Sequence, residues 1–95
     1  MIIRKRARVY TEAEIAAAID AHVEAQARSM GYNDASACAG YVNSTVEAWA
    51  EDARAFIAWR DAVWTTAFAL QRQHEESGTV PTLDDVLAAL PEWSE

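Results

Sequence analysis

Two histidines, one cysteine and fifteen carboxylates are the side chains of this 95-residue chain with the most chemistry to offer. His22 has Asp20 and Glu24 two residues to either side, types that could bind a divalent metal or relay a proton. Residues two apart on a helix do not face each other, however, so the three do not form a ready-made trio. His74 falls near the end of a long helical pattern, where an imidazole can meet the last free carbonyls. A metal or acid–base site would need His22 and His74 brought together from separate helices. Capping, surface or packing roles are the expectation for both. Glu47 and Glu51 lie one turn apart with Asp52 adjacent, but no motif completes a ligand shell around them. Surface pairs such as Glu51–Arg54 and Asp61–Arg60 explain these charges. Cys38 is alone, which excludes a disulfide or a cysteine-based zinc pattern within one chain, and Ala37 and Ala39 beside it suit a small buried hydrophobe. Gly31, Gly40 and Gly78 are too dispersed to cradle a phosphate, and no nucleophile arrangement occurs. The sequence is therefore read as non-enzymatic, with no metal site and no cofactor.

What stands out instead is the run Thr45–Gln73, which carries Trp49, Phe56, Trp59 and Trp64. Large aromatic rings supply most of the contact energy in small cores and in interfaces, and each buried indole N–H needs an acceptor. Arg60 lies among Trp59, Val63 and Trp64, so its stem can pack while its guanidinium pairs with an acid or stacks on an indole. Trp49, Trp59, Arg60 and Trp64 are the candidate protein-binding residues. The alternative is that they build the core of the domain itself.

Ninety-five residues suit one domain, since either half would lack an adequate interior. The hydrophobic share of 52% is rich in alanine, which favours helices and lets their backbones approach closely. Four of the eight basic residues, Arg4, Lys5, Arg6 and Arg8, fall in residues 1–10, which hold no acid. Residues 11–95 thus set four basic residues against all fifteen acidic ones, a balance of −11 within the overall −7. The body repels phosphate backbones, whereas the head is a candidate contact for nucleic acid or an acidic surface. Neutralisation of the chain's own acidic helices is the preferred explanation of the head. No secretory signal and no membrane-spanning run is legible.

The elements that would position these residues are helical. Residues 2–10 alternate as an arm or a single edge strand would, with a second copy as one available mate. Thr11 and Glu14 make a capping box, and Tyr10 and Ile15 take the staple positions. Ile15, Ile19, Val23, Ala27 and Met30 then line one face up to Gly31, a left-handed stop. Glu24 and Arg28 form an i,i+4 pair. Asn33 or Asp34 caps a short second helix reaching about Tyr41. Ser44 and Glu47 repeat the capping-box pattern and launch the main helix, which frays near 75–78. Thr82 caps a last helix packed through Leu83, Val86, Leu87 and Leu90 and ended by Pro91. The fold expected is all-α, a bundle of three to four helices over residues 11–95 with a basic arm at 1–10.

The strings Ala27-Arg28-Ser29-Met30-Gly31-Tyr32-Asn33-Asp34, Ala58-Trp59-Arg60-Asp61-Ala62-Val63-Trp64 and Val80-Pro81-Thr82 through Leu90-Pro91 resemble small tailed-phage and prophage tail-associated proteins. The resemblance covers about residues 12–93. Asn33 replaces an aspartate common in that family, and the stretch Tyr41–Ser44 is shorter or altered. The resemblance implies a role in tail or tail-fibre assembly or structure through protein contacts, in the bacterial host cytoplasm during assembly or in association with the virion, with a tail or tail-fibre protein as partner and self-association into a homo-oligomer. The alternative is a small phage regulator that touches nucleic acid through Arg4–Arg8.

Overall fold

Thr11 leaves the extended conformation and caps the first helix. Its hydroxyl accepts the Glu14 N–H at 3.1 Å, while the Glu14 carboxylate accepts the Thr11 N–H at 3.2 Å, the reciprocal pair expected from the sequence. In the computed structural model, which describes residues 10–79 and 81–94, this helix is α1, Glu12–Ser29. The arm or strand read at residues 1–9, with Arg4, Lys5, Arg6 and Arg8, lies outside the described residues. Gly31, at φ 97°, ends α1: the Gly31 N–H reaches the Arg28 carbonyl and the Tyr32 N–H reaches that of Ala27. That left-handed turn closes the orphan carbonyls with little strain only when the residue lacks a Cβ.

Asp34 then caps α2, Ala35–Gly40, by accepting the Ala37 N–H at 2.7 Å. Glu24 contributes from α1, accepting the Ala35 N–H at 2.9 Å, and its guanidinium neighbour Arg28 stands 4.0 Å away. A 3₁₀ turn, Tyr41–Asn43, leads through extended Ser44 into α3, Glu47–Ser77. The Ser44–Glu47 capping box is not formed. Val46 occupies the N-cap position without a side-chain cap, and Ser44 instead accepts the Val46 N–H at 3.1 Å. The 3₁₀ turn pushes the helix start two residues onward, which frees Glu47 to pair with Arg54 at 2.9 Å. Gly78, at φ 71°, ends α3. Thr82 caps α4, Leu83–Ala89, by accepting the Asp85 N–H at 3.1 Å, and Leu90 before Pro91 leaves the helix extended.

The described residues form four α-helices and no strand, an all-α bundle. α1 runs antiparallel to α3: Glu12 meets Gln71 at 3.2 Å, while His22 lies against Trp59 with ring centroids 5.5 Å apart. Ile19, Val23 and Ala27 of α1 close over Phe56, Trp59 and Val63 of α3, with Cys38, Val86 and Leu90 completing the core. Each large side chain removed from water contributes about 1.5–3 kcal/mol. Ala50 and Ala53 are buried on the first half of α3, where α2 and the 3₁₀ turn approach it. No helix among the described residues is long and apolar enough to cross a membrane.

Phe56 is fully buried, so Phe56→Ala should lower the unfolding free energy by about 3–5 kcal/mol in urea titrations followed by circular dichroism. Trp49→Ala, at a side chain 48% exposed, should cost less than half as much.

Candidate functional site

The four residues singled out on α3 take different places. Trp59 is core: it is 8% exposed, packs against Phe56 and Trp93, and donates its indole N–H to the Pro91 carbonyl at 2.9 Å. That bond satisfies the polar handle of a buried indole and pins the segment after α4 to the middle of α3. Arg60 is half-buried and pairs with its neighbour Asp61 at 3.0 Å. Trp49 is exposed and Trp64 half-buried against the core, and 15 residues of helix put them about 22 Å apart along α3.

Trp49 ends a ladder of three rings. Tyr32, after α1, stands 5.5 Å from Tyr41, and Tyr41 meets the edge of Trp49 at 5.5 Å. Tyr41, Val46 and Trp49 are each at least 40% exposed, so an apolar patch faces water at this end of the bundle. The ladder is anchored from below by the Tyr32 hydroxyl, which donates to the Asp52 carboxylate at 3.0 Å. Burial, then the hydrogen bond to Asp52 and its negative charge, disfavour the phenolate and push the Tyr32 pKa up to about 12. Asp52 therefore acts as a fixed acceptor rather than as one of a carboxylate pair.

Trp64 belongs to a second surface. Its ring lies 6.0 Å from that of Phe68, which is 56% exposed, and the two form one wall of a groove of about 290 Å³. Ile15 and Ile19 of α1, Val86 of α4 and Tyr10 also line it. Glu12 and Glu75 also line it, both held by the Gln71 side-chain amide, at 3.2 and 3.4 Å. The groove exists because no residue of α3 beyond Val63 is buried, although Trp64, Ala67, Phe68 and Leu70 continue its apolar path. Phe68 was not among the sequence candidates. Its signal was the four-residue spacing from Trp64.

The polar candidates stay apart. His22 rests on Trp59, whereas the His74 ring bonds the Thr79 hydroxyl at 2.6 Å beside the α3 terminus, rather than a terminal carbonyl as expected from the sequence. Among the described residues no three His, Cys, Asp or Glu side chains converge as metal ligands would. Cys38 is fully buried, and burial first, then the Asp52 charge, raises its thiol pKa. Both surfaces are thus suited to taking apolar side chains: one is an exposed aromatic patch and the other a groove whose lining includes the carboxylates of Glu12 and Glu75.

A raised Tyr32 pKa means that this tyrosine holds its proton more tightly folded than unfolded. Its contribution to stability is present below pH 10 and fades as pH rises through 12. Ultraviolet titration should show one of the three tyrosines ionising late, and Tyr32→Phe should remove that step and cost about 1 kcal/mol through the lost hydrogen bond. Comparison of the chain with protein-family models, with curated proteins and with solved structures found no match.

Proposed function

We propose that this chain is a protein-binding helical module without a reaction of its own, serving the assembly or structure of a phage tail or tail fibre. The observation that carries the binding reading is the exposure of aromatic rings at two places along α3: Trp49 with Tyr41 of the 3₁₀ turn at one end, and Phe68 beside the half-buried Trp64 in the groove at the other. Aromatic residues that a monomer leaves in water are the usual anchors of a partner, because each removes a large apolar area on contact. Trp59 and Arg60 support the reading from within, Trp59 by fixing the α4 end of the bundle and Arg60 by holding its charge on Asp61. The phage-tail setting comes from the resemblance of the Trp59–Trp64 string and the Pro81–Pro91 segment. In that setting the partner is a tail or tail-fibre protein met in the host cytoplasm during assembly.

Affinity capture from cells expressing the whole source phage or prophage, with nuclease and salt washes before mass spectrometry, tests this. A specific tail component should be retained, and Trp49→Ala or Trp64→Ala should each weaken its binding about tenfold or more while leaving the helical circular dichroism intact. Retention of nucleic-acid-associated proteins alone, lost when Arg4, Lys5, Arg6 and Arg8 are neutralised, would overturn the assembly reading in favour of a regulator.

A further inference from the structure

The last helix of the chain is a template for what the Trp64–Phe68 groove takes. Val86 of α4 and Leu90 just after it, four residues apart, pack in one cluster with Ile19 and Val23 of α1 and with Trp59 and Val63 of α3. The same two long helices continue side by side as far as the Gln71–Glu12 contact. α4 does not follow them: its 7 residues span about 10 Å, and of these only Val86 lines the groove. The groove thus continues a slot that the chain itself fills, further back, with a short amphipathic helix. We propose that it takes an amphipathic helix of a partner protein, about three turns long, whose apolar residues recur one turn apart and whose end beside Glu12 and Glu75 carries a lysine or arginine. The inference rests on the reading of that groove as a protein-binding surface and names the chemistry of the partner.

Spacing, length and charge carry it. Ile15 and Ile19 on α1 and Trp64 and Phe68 on α3 are each four residues apart and line the groove together. Two such rows leave between them the kind of furrow that receives the side chains of a third helix at i, i+3 or i+4, and i+7. From Trp64 to Glu75, α3 rises roughly 16 Å over 11 residues, the length of about three helical turns. At the far end the Gln71 side-chain amide donates to Glu12 at 3.2 Å and to Glu75 at 3.4 Å. Two carboxylates thereby converge on a neutral group, and among the described residues no lysine or arginine lines the groove with them. A cation arriving there is attracted by both, whereas an acid is repelled by both. That charge disfavours the corresponding helix of a second copy, since α4 opens with Asp84 and Asp85.

Two helix-stapled peptides of about 14 residues test it on the full chain, sharing leucines at i, i+4 and i+7 and differing only in carrying lysines or glutamates in both end turns. Fluorescence anisotropy at physiological salt should give the lysine peptide a dissociation constant about tenfold or more below that of the glutamate peptide. Changing Glu12→Gln and Glu75→Gln together should bring the two within about threefold, and Phe68→Ala should weaken the lysine peptide about tenfold, with the helical circular dichroism retained. The Trp64 indole resonance should shift on binding and that of Trp49 should not. Failure of the lysine peptide to bind, equal affinity for both peptides, a preference that survives the double glutamine variant, or shifts at Trp49 instead would overturn the proposal. Concentration-dependent dimerisation of the chain that Phe68→Ala abolishes would overturn it in favour of a second copy as occupant. The tail-assembly reading fails by a different sign: the lysine peptide binds as expected while Trp64→Ala leaves capture of the tail component unchanged.

Discussion

A helix of 31 residues is about 46 Å long, and no other element of this chain can cover it. α1, at 18 residues, spans about 27 Å, and α2 and α4 are one to two turns each. The buried positions of α3 stop at Val63, whereas its apolar residues do not, although the start of α1 still flanks α3 as far as Gln71. The molecule thus has a closed half, where Phe56 and Trp59 are enclosed by α1, α2 and α4, and an open half, where Trp64 and Phe68 line a groove against α1 and Val86.

Rigidity is supplied by small, well-satisfied connections rather than by a large core. Trp59 ties three parts of the chain together through His22, Trp93 and the Pro91 carbonyl. Glu24 reaches from α1 to the start of α2, and Tyr32 reaches from the loop between them to Asp52 on α3. Each uses a polar group to fix the position of an apolar one, so the short elements gain a defined place without adding much buried area. Among the described residues no buried side-chain nitrogen or oxygen is left without a hydrogen-bond partner, which is the condition for such links to stabilise rather than strain the fold.

Local signals in the sequence were legible where the relevant contact spans a few residues. The Thr11–Glu14 box, the Gly31 stop, the Thr82 cap and the single apolar face of α1 all follow from spacing alone. Ser44–Glu47 has the same spacing as Thr11–Glu14 but no box, because the preceding 3₁₀ turn sets where the backbone becomes helical. Long-range facts had no comparable signal. Glu24 serves a helix eleven residues away, and Trp59 finds its acceptor 32 residues on. The division of the tryptophans between core and surface was equally hidden, since the apolar positions of α3 form two adjoining paths and only the placement of α1 and α4 decides which path is covered.

Cys38 carries a consequence of a different kind. Its thiol has no exposed surface, sits where α2 meets the core, and is pushed toward its protonated form by its surroundings. A thiol reacts with alkylating reagents as the exposed thiolate, so this one is chemically silent in the closed bundle and becomes reactive only when the α2 corner lifts away. The chain thereby contains a single-site clock for its own opening: the rate of alkylation under native conditions reads the frequency with which the bundle breathes, without any label being added to it.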